Sequence, residues 1–192
     1  MYKRQGSQEV GCHIYAQAAI LRPGQKHLKR VIAEMGGKNA IIVDESADLD
    51  QAVAGVVYSA FGYSGQKCSA CSRVVVLDPI YDNFVNRLVE ATRSLNIGDA
   101  EKLSTQVGPV IDHKAQKRIQ EYIAKGKQEA EVAIEMTAPE DGYFVGPVIF
   151  KDVSPSATIA QEEIFGPVLA VMKAENFTCL LYTSPSPRDV VP

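Results

Sequence analysis

The chain has 192 residues, of which 46% are hydrophobic and 22% charged, and its net charge is −3. That is ordinary globular composition, long enough for one domain-sized core, with no basic cluster to serve a nucleic acid and no apolar run near the roughly 20 residues that span a bilayer. Four cysteines without framework spacing fit a reducing compartment better than a disulfide scaffold.

In chain order, Gly6 to Gly11 opens a helix predicted to run through Ala19, with Ser7 as N-cap. Arg30-Val-Ile-Ala33 reads as a short strand, and Ile41-Ile-Val43 as a short buried one. Leu49, Ala52, Val53, Val56, Val57, Ala60 and Phe61 recur at helical spacing behind Asp48, a candidate N-cap with Gln51 three residues on. Gly62 and Gly65 break that helix, and Arg73 to Leu77 follows as a buried strand. Ile80 to Leu95 is predicted as a second amphipathic helix, with Ile80, Phe84, Val85, Leu88, Val89 and Leu95 inward. Asn96 to Val110 reads as a loop. Asp112 caps a further helix that buries Ala115, Ile119, Tyr122 and Ile123, and its Lys114, Lys117, Arg118, Glu121 and Lys125 form a solvated face. Beyond Glu131 the pattern changes to strands over 132–134, 143–150 and 168–172, punctuated by prolines that exclude long helices. Alternating helices and strands imply a mainly parallel, layered α/β sheet.

Chemistry concentrates in three stretches. Phe61-Gly-Tyr-Ser-Gly-Gln-Lys-Cys-Ser-Ala-Cys-Ser-Arg73 holds Cys68 in a glycine-flanked loop beside Lys67. A neighbouring cation or oriented N–H groups favour the thiolate, the reactive form of cysteine; by residue type alone, a buried inert cysteine reads as well. Ala33-Glu-Met-Gly-Gly-Lys-Asn-Ala40 places the Glu34 carboxylate at a strand end before Gly36 and Gly37, where backbone can turn sharply or approach a ligand. Glu34 is either a general base or a solvated turn residue. Gln161-Glu-Glu-Ile-Phe-Gly-Pro-Val168 is the third stretch. Rival readings exist. Cys68-Ser-Ala-Cys71 has the spacing of a thiol–disulfide pair or half a zinc site, but no second cysteine pair completes the latter. Gly62 to Lys67 departs from P-loop spacing, and Cys68 stands where a hydroxyl residue belongs. Cys12-His13 lacks partners at metal-ligand spacing. A non-enzymatic binding module is the remaining alternative.

Taken together, in this order and near this spacing, the three stretches resemble the aldehyde dehydrogenase superfamily over residues 6–178. Arg22-Pro-Gly-Gln25, Lys29 to Asp44 and Gly65 to Arg73 are worded most like its 1-pyrroline-5-carboxylate (L-glutamate gamma-semialdehyde) dehydrogenase branch. The resemblance implies an aldehyde-dehydrogenase-like α/β fold, with residues 6–37 the tail of a Rossmann-like NAD domain and 38–178 the first part of the catalytic domain. It implies Cys68 as nucleophile and Glu34 as the base that activates water against a thioester. It implies Ser7 at the cofactor pyrophosphate, Gly36 at the cofactor, Glu163 on the nicotinamide ribose and Phe165 packed near it. The implied cofactor is NAD, with NADP open, and no metal. The implied substrate is a small aldehyde from proline degradation, without nucleic acid or membrane partners. The whole protein is expected to be a homo-oligomer or part of a bifunctional proline-degrading enzyme, cytoplasmic, or in the mitochondrial matrix of a eukaryote.

The ends read differently. Cys179-Leu-Leu-Tyr-Thr-Ser-Pro-Ser-Pro-Arg-Asp189 matches the translation of a transposon sequencing adapter, and Tyr2-Lys-Arg-Gln5 matches its other end. Residues 1–5 and 179–192 are therefore set aside from fold reasoning. Met1 is expected not to be a natural start, and the chain to be a cut fragment without activity of its own. Truncation is expected to bare apolar faces such as Val74 to Val76 and Ile41 to Val43.

Overall fold

The computed structural model describes residues 2–177, so the adapter-like segment 179–192 lies outside the described residues. The chain forms two compact units, one ending at Gly37 and the other starting at Lys38.

The first unit is a β-α-β arrangement. Strand β1 (Tyr2–Gln5) runs parallel to β2 (Val31–Glu34), pairing Gln5 with Glu34, and helix α1 (Gln8–Ala19) lies between them in sequence. Tyr2–Gln5, set aside on the sequence, thus takes part in this pairing. The Ser7 hydroxyl accepts from the Val10 N–H at 3.4 Å and the Ser7 carbonyl from the Gly11 N–H at 3.0 Å. Gly11 is the buried residue of α1, and a Cβ there would run into the Met35 side chain, so the missing side chain sets how closely the helix sits.

The second unit is a three-layer sandwich on a five-stranded sheet of order β3-β4-β7-β6-β5. These strands are β3 (Asn39–Val43), β4 (Cys71–Leu77), β5 (Glu131–Glu135), β6 (Val148–Lys151) and β7 (Val168–Ala174). All neighbours are parallel except β5 and β6. Helices α2 (Leu49–Phe61) and α3 (Tyr81–Arg93) cover one face; α4 (His113–Glu129) and the single turn α5 (Thr158–Gln161) cover the other. The period-2 alternation of β4 decides which residue serves which layer. Val74 and Val76 pack towards α2 and α3, while Val75 and Leu77 pack towards α4. A strand buried on both faces reads as an unbroken apolar run, which is what Val74 to Leu77 is.

Helix starts follow the sequence. Asp48 accepts from the Asp50 and Gln51 N–H groups, and Asp112 from the Ala115 N–H at 2.7 Å. Four expectations change. Strand β3 begins at Asn39 and is the sheet edge, so Ile42 is 49% exposed and only Val43 is buried. Strand β4 begins at Cys71, two residues early. The predicted strand over 143–150 is a strand only from Val148; before it the chain is a loop, exposed at Tyr143 and buried from Val145, where Gly146 passes so near Met136 that a Cβ would strike the Met136 carbonyl and Pro147 has no N–H to donate. Val74 to Val76 are fully buried, since α2 and α3 cover Val74 and Val76, the α4 layer covers Val75, and β7 pairs beside them, so they are not bared. No helix among the described residues is long and apolar enough to cross a membrane.

Candidate active site

Cys68 is placed by an unusual descent from α2. After Phe61 the backbone turns left-handed at three consecutive residues, Tyr63 (φ 56°), Ser64 (φ 54°) and Gly65 (φ 67°). A left-handed non-glycine residue costs about 1–2 kcal/mol, so the surroundings must hold the segment. Ser64 is buried and donates its hydroxyl to the Gly108 carbonyl at 2.7 Å, and the Gln66 side-chain oxygen accepts from the Ile111 N–H at 3.0 Å. Gly65 lies directly against the third motif: a Cβ there would collide with the Gly166 carbonyl. The cysteine stretch and the Glu163–Gly166 stretch, far apart in sequence, are therefore stacked on each other in this unit.

The next four residues form a β-turn, closed by the Ala70 N–H donating to the Lys67 carbonyl at 3.1 Å. Cys68 and Ser69 are its two central residues, and both are exposed. The turn bond uses neither the Cys68 nor the Ser69 N–H. Lys67 does not simply crowd the thiol with charge; its ammonium lies over the Tyr58 ring, 5.3 Å from the centroid.

Cys71 contrasts with Cys68. It is a β4 residue, 3% exposed, with its thiol donating to the Arg73 carbonyl at 3.2 Å and its N–H to the Ser59 hydroxyl at 3.1 Å. Burial pushes its thiol up to about 11. Cys12, Cys68 and Cys71 are all free thiols. One thiol is thus presented and the other is put away, an arrangement that serves a lone nucleophile better than an exchanging pair. Among the described residues, no group of three His, Cys, Asp or Glu side chains is placed to hold a metal.

Phe165 is 36% exposed and left-handed (φ 54°), while Glu163 is half-buried. The backbone beyond them is anchored, since the Val148 N–H donates to the Pro167 carbonyl at 2.9 Å. In the first unit, Glu34 is exposed at the C-terminal end of β2, followed by exposed Gly36 and Gly37. Ser7 caps α1 there, and its two bonds leave the N–H groups of Gln8 and Glu9 for an external acceptor. So Cys68, Glu163 and Phe165 belong to one unit, and Ser7, Glu34 and Gly36 to the other.

Two neighbours of the glutamate motif carry more than the sequence suggested. The Lys38 ammonium nitrogen is buried without a hydrogen-bond partner among the described residues. Burial lowers its pKa to about 8, assisted by the like charge of Arg73 and opposed by Glu163. Arg73 also donates to the Lys38 carbonyl at 2.7 Å. Asn39 donates its side-chain amide to the Cys68 carbonyl at 2.7 Å and the Ala70 carbonyl at 3.1 Å. A signal existed for Asn39: asparagine is depleted in strands, so one opening β3 invites a side-chain explanation.

The aldehyde dehydrogenase family model matches residues 2–181. A 1-pyrroline-5-carboxylate dehydrogenase of Geobacillus thermodenitrificans is 54% identical over 176 residues, covering 90% of this chain and 34% of the relative. That of Bacillus subtilis is 50% identical over 177 residues, covering 92% of this chain and 34% of its own. Among solved structures, the enzyme of that name from Thermus with bound NAD superposes with a TM-score of 0.89 at 41% identity, over 96% of this chain and 36% of its own. Proline utilization A from Bdellovibrio bacteriovorus gives 0.94 at 51% identity, over 96% of this chain and 19% of its own. The chain thus spans about a third of the curated relatives it matches.

Proposed function

The chain belongs to the aldehyde dehydrogenase family, and from that premise we propose that the whole protein oxidises L-glutamate gamma-semialdehyde to L-glutamate with NAD, through a thioester on Cys68. One observation carries the reading: an exposed cysteine at the head of a fixed turn, stacked on the Glu163–Gly166 segment, in a chain half identical to proteins named for that oxidation. Residues 6–37 then form the tail of the cofactor domain and 38–178 the first part of the catalytic domain, with residues 1–5 and 179–192 not native.

The residues present fit the cofactor. The N–H groups of Gln8 and Glu9, beside Ser7 and unclaimed among the described residues, suit a pyrophosphate at a helix start. The backbone at Gly36 admits close approach, half-buried Glu163 can accept from ribose hydroxyls, and the exposed Phe165 ring gives an apolar face. NAD, when bound, supplies the hydride acceptor. The Cys68 thiolate attacks the carbonyl carbon, and the thiohemiacetal oxyanion takes a hydrogen bond from the Cys68 N–H. Loss of hydride from that carbon leaves a thioester. Glu34 takes a proton from water, the hydroxide adds to the thioester, and the Cys68 thiolate leaves as the acid forms.

The whole protein is further proposed to be a homo-oligomer or one module of a bifunctional proline-degrading enzyme, in the cytoplasm; the likeness to proline utilization A of Bdellovibrio bacteriovorus supports the bifunctional form. The test is a chimera in which residues 6–178 replace the matching segment of the Bacillus subtilis enzyme, followed by NADH formation with glutamate gamma-semialdehyde. The chimera should turn over, its Cys68→Ala variant should not, and its Cys71→Ala variant should keep most activity. Equal loss in both variants would instead support a cysteine pair.

A further inference from the structure

We infer that Asn39 is a positioning residue that locks the central peptide of the turn presenting Cys68, and so sets which polar groups face its sulfur. The inference rests on Cys68 being the nucleophile. The turn from Lys67 to Ala70 has Cys68 and Ser69 at its centre. The peptide joining those two is the weak point of any β-turn, because turns of types I and II differ mainly in which way that peptide faces. The closing bond between Ala70 and Lys67 is compatible with both orientations and chooses neither. Asn39 chooses. Its amide nitrogen holds the Cys68 carbonyl at 2.7 Å, and a planar trans peptide points its N–H opposite to its carbonyl, so the Ser69 N–H faces away from Asn39.

The same amide holds the Ala70 carbonyl at 3.1 Å, and the N–H of that peptide, belonging to Cys71, is taken by the Ser59 hydroxyl at 3.1 Å. The peptide beyond the turn is thereby fixed from both sides. Asn39 is itself immobilised. Its carbonyl accepts from the Ser72 hydroxyl at 3.2 Å, and the carbonyl before it accepts from Arg73 at 2.7 Å. The pairing of β3 with β4 slips here, with Asn39 opposite Cys71 and Ala40 opposite Arg73, which leaves Ser72 as an extra residue. An extra residue in one strand re-aims its neighbours, and here Asn39 lies with its amide against the turn. Without the amide, the central peptide can rotate and put the Cys68 carbonyl oxygen where an N–H had been. An oxygen dipole beside a thiolate, or beside an oxyanion formed on it, opposes the negative charge that an N–H supports.

The experiment uses the 192-residue chain, with iodoacetamide as probe and peptide-level mass spectrometry to read Cys68, Cys71 and Cys12 separately. Asn39→Ala should slow Cys68 alkylation at pH 8 by about threefold to tenfold, the equivalent of one hydrogen bond. Asn39→Asp keeps the shape but has no N–H and faces two carbonyl oxygens, so it should be at least as slow. Continued protection of Cys71, with an unchanged Cys12 rate, shows that the fold is intact; should the Asp variant not fold, the Ala variant carries the test. A merely structural Asn39 predicts the opposite direction, because loosening a turn around an exposed thiol leaves labelling as fast or makes it faster. Either of those outcomes overturns the lock. The chimera assay stays separate: absent turnover there defeats the dehydrogenase reading, and unchanged alkylation here defeats the lock alone.

Discussion

Replacing Lys38 with methionine should stabilise the chain, and the gain should shrink as pH rises. The Lys38 ammonium is buried without a hydrogen-bond partner among the described residues, next to the like charge of Arg73. Its pKa falls from 10.5 to about 8. At 1.36 kcal/mol per unit, that is a cost of about 3 kcal/mol for holding the charged form in the fold. The sign follows from proton counting. Below about pH 8 both folded and unfolded states carry the proton, and the whole cost is felt. Between about 8 and 10.5 the unfolded state binds more protons, so stability rises with pH. Above 10.5 both states are neutral and the cost is gone. Lys38→Met removes the charge and fills a similar volume, so it should gain up to about 3 kcal/mol at neutral pH, a figure already net of the attraction of Glu163. Urea unfolding of the parent and the variant, followed by circular dichroism at about pH 7 and about pH 10, measures both effects. A variant less stable than the parent at neutral pH, or an advantage that does not shrink at high pH, would refute the reasoning.

Three further outcomes are expected. Iodoacetamide at pH 8 should label Cys68 at least tenfold faster than Cys71, whose thiol is raised to about 11 by burial; comparable rates would show that β4 opens readily. Tyr81→Phe should cost about 1–3 kcal/mol in urea unfolding, because the buried Tyr81 hydroxyl accepts from the Asp152 N–H at 2.8 Å, where Asp152 is left-handed (φ 52°); a neutral substitution would mean that water replaces the bond. In the chimera, Glu34→Gln should leave a burst of NADH with a slow steady state, since hydride transfer precedes hydrolysis; normal turnover would remove Glu34 from the mechanism.

The elements legible in the sequence were those whose cause is local. Asp48 caps α2 with its own carboxylate, and the apolar face of that helix repeats every turn, so its limits could be read directly. The run from Val74 to Leu77 announced a strand buried on both faces. The stretch over 143–150 misled because apolar residues mark burial, not backbone pairing: Val145, Val148 and Phe150 share one core, but only the last two lie in β6. Sheet order was hidden for a different reason. Strand β7 lies between β4 and β6 although the chain reaches it last, and nothing local distinguishes an inserted strand from an added one.

The site divides along the same line. Cys68 stood out because glycines and a second motif flanked it, but the turn that presents it depends on partners distant in sequence. Tyr63 and Ser64 have side chains that disfavour the left-handed backbone they adopt, so local preference points away from the observed structure. What holds them is the Gly108 carbonyl and the close passage of Gly65 over Gly166. Gly65→Ala tests that account. An alanine must bear the left-handed φ of 67° and push its Cβ into the Gly166 carbonyl, a backbone atom that cannot swing aside as a side-chain tip would. The left-handed conformation alone costs about 1–2 kcal/mol, and moving packed backbone adds to it. A total loss of at least about 2 kcal/mol is expected, with Cys68 alkylation altered because the turn is carried on the displaced segment. Gly166→Ala is the comparison from the other side of the stack, since its Cβ would meet Cδ1 and Cγ1 of fully buried Ile119 at 2.6 Å, a helical β-branched side chain with little rotamer freedom, so it should also destabilise. If Gly65→Ala costs less than about 1 kcal/mol and leaves Cys68 alkylation unchanged, the stacking of the cysteine loop on the Glu163–Gly166 segment is not what fixes the nucleophile.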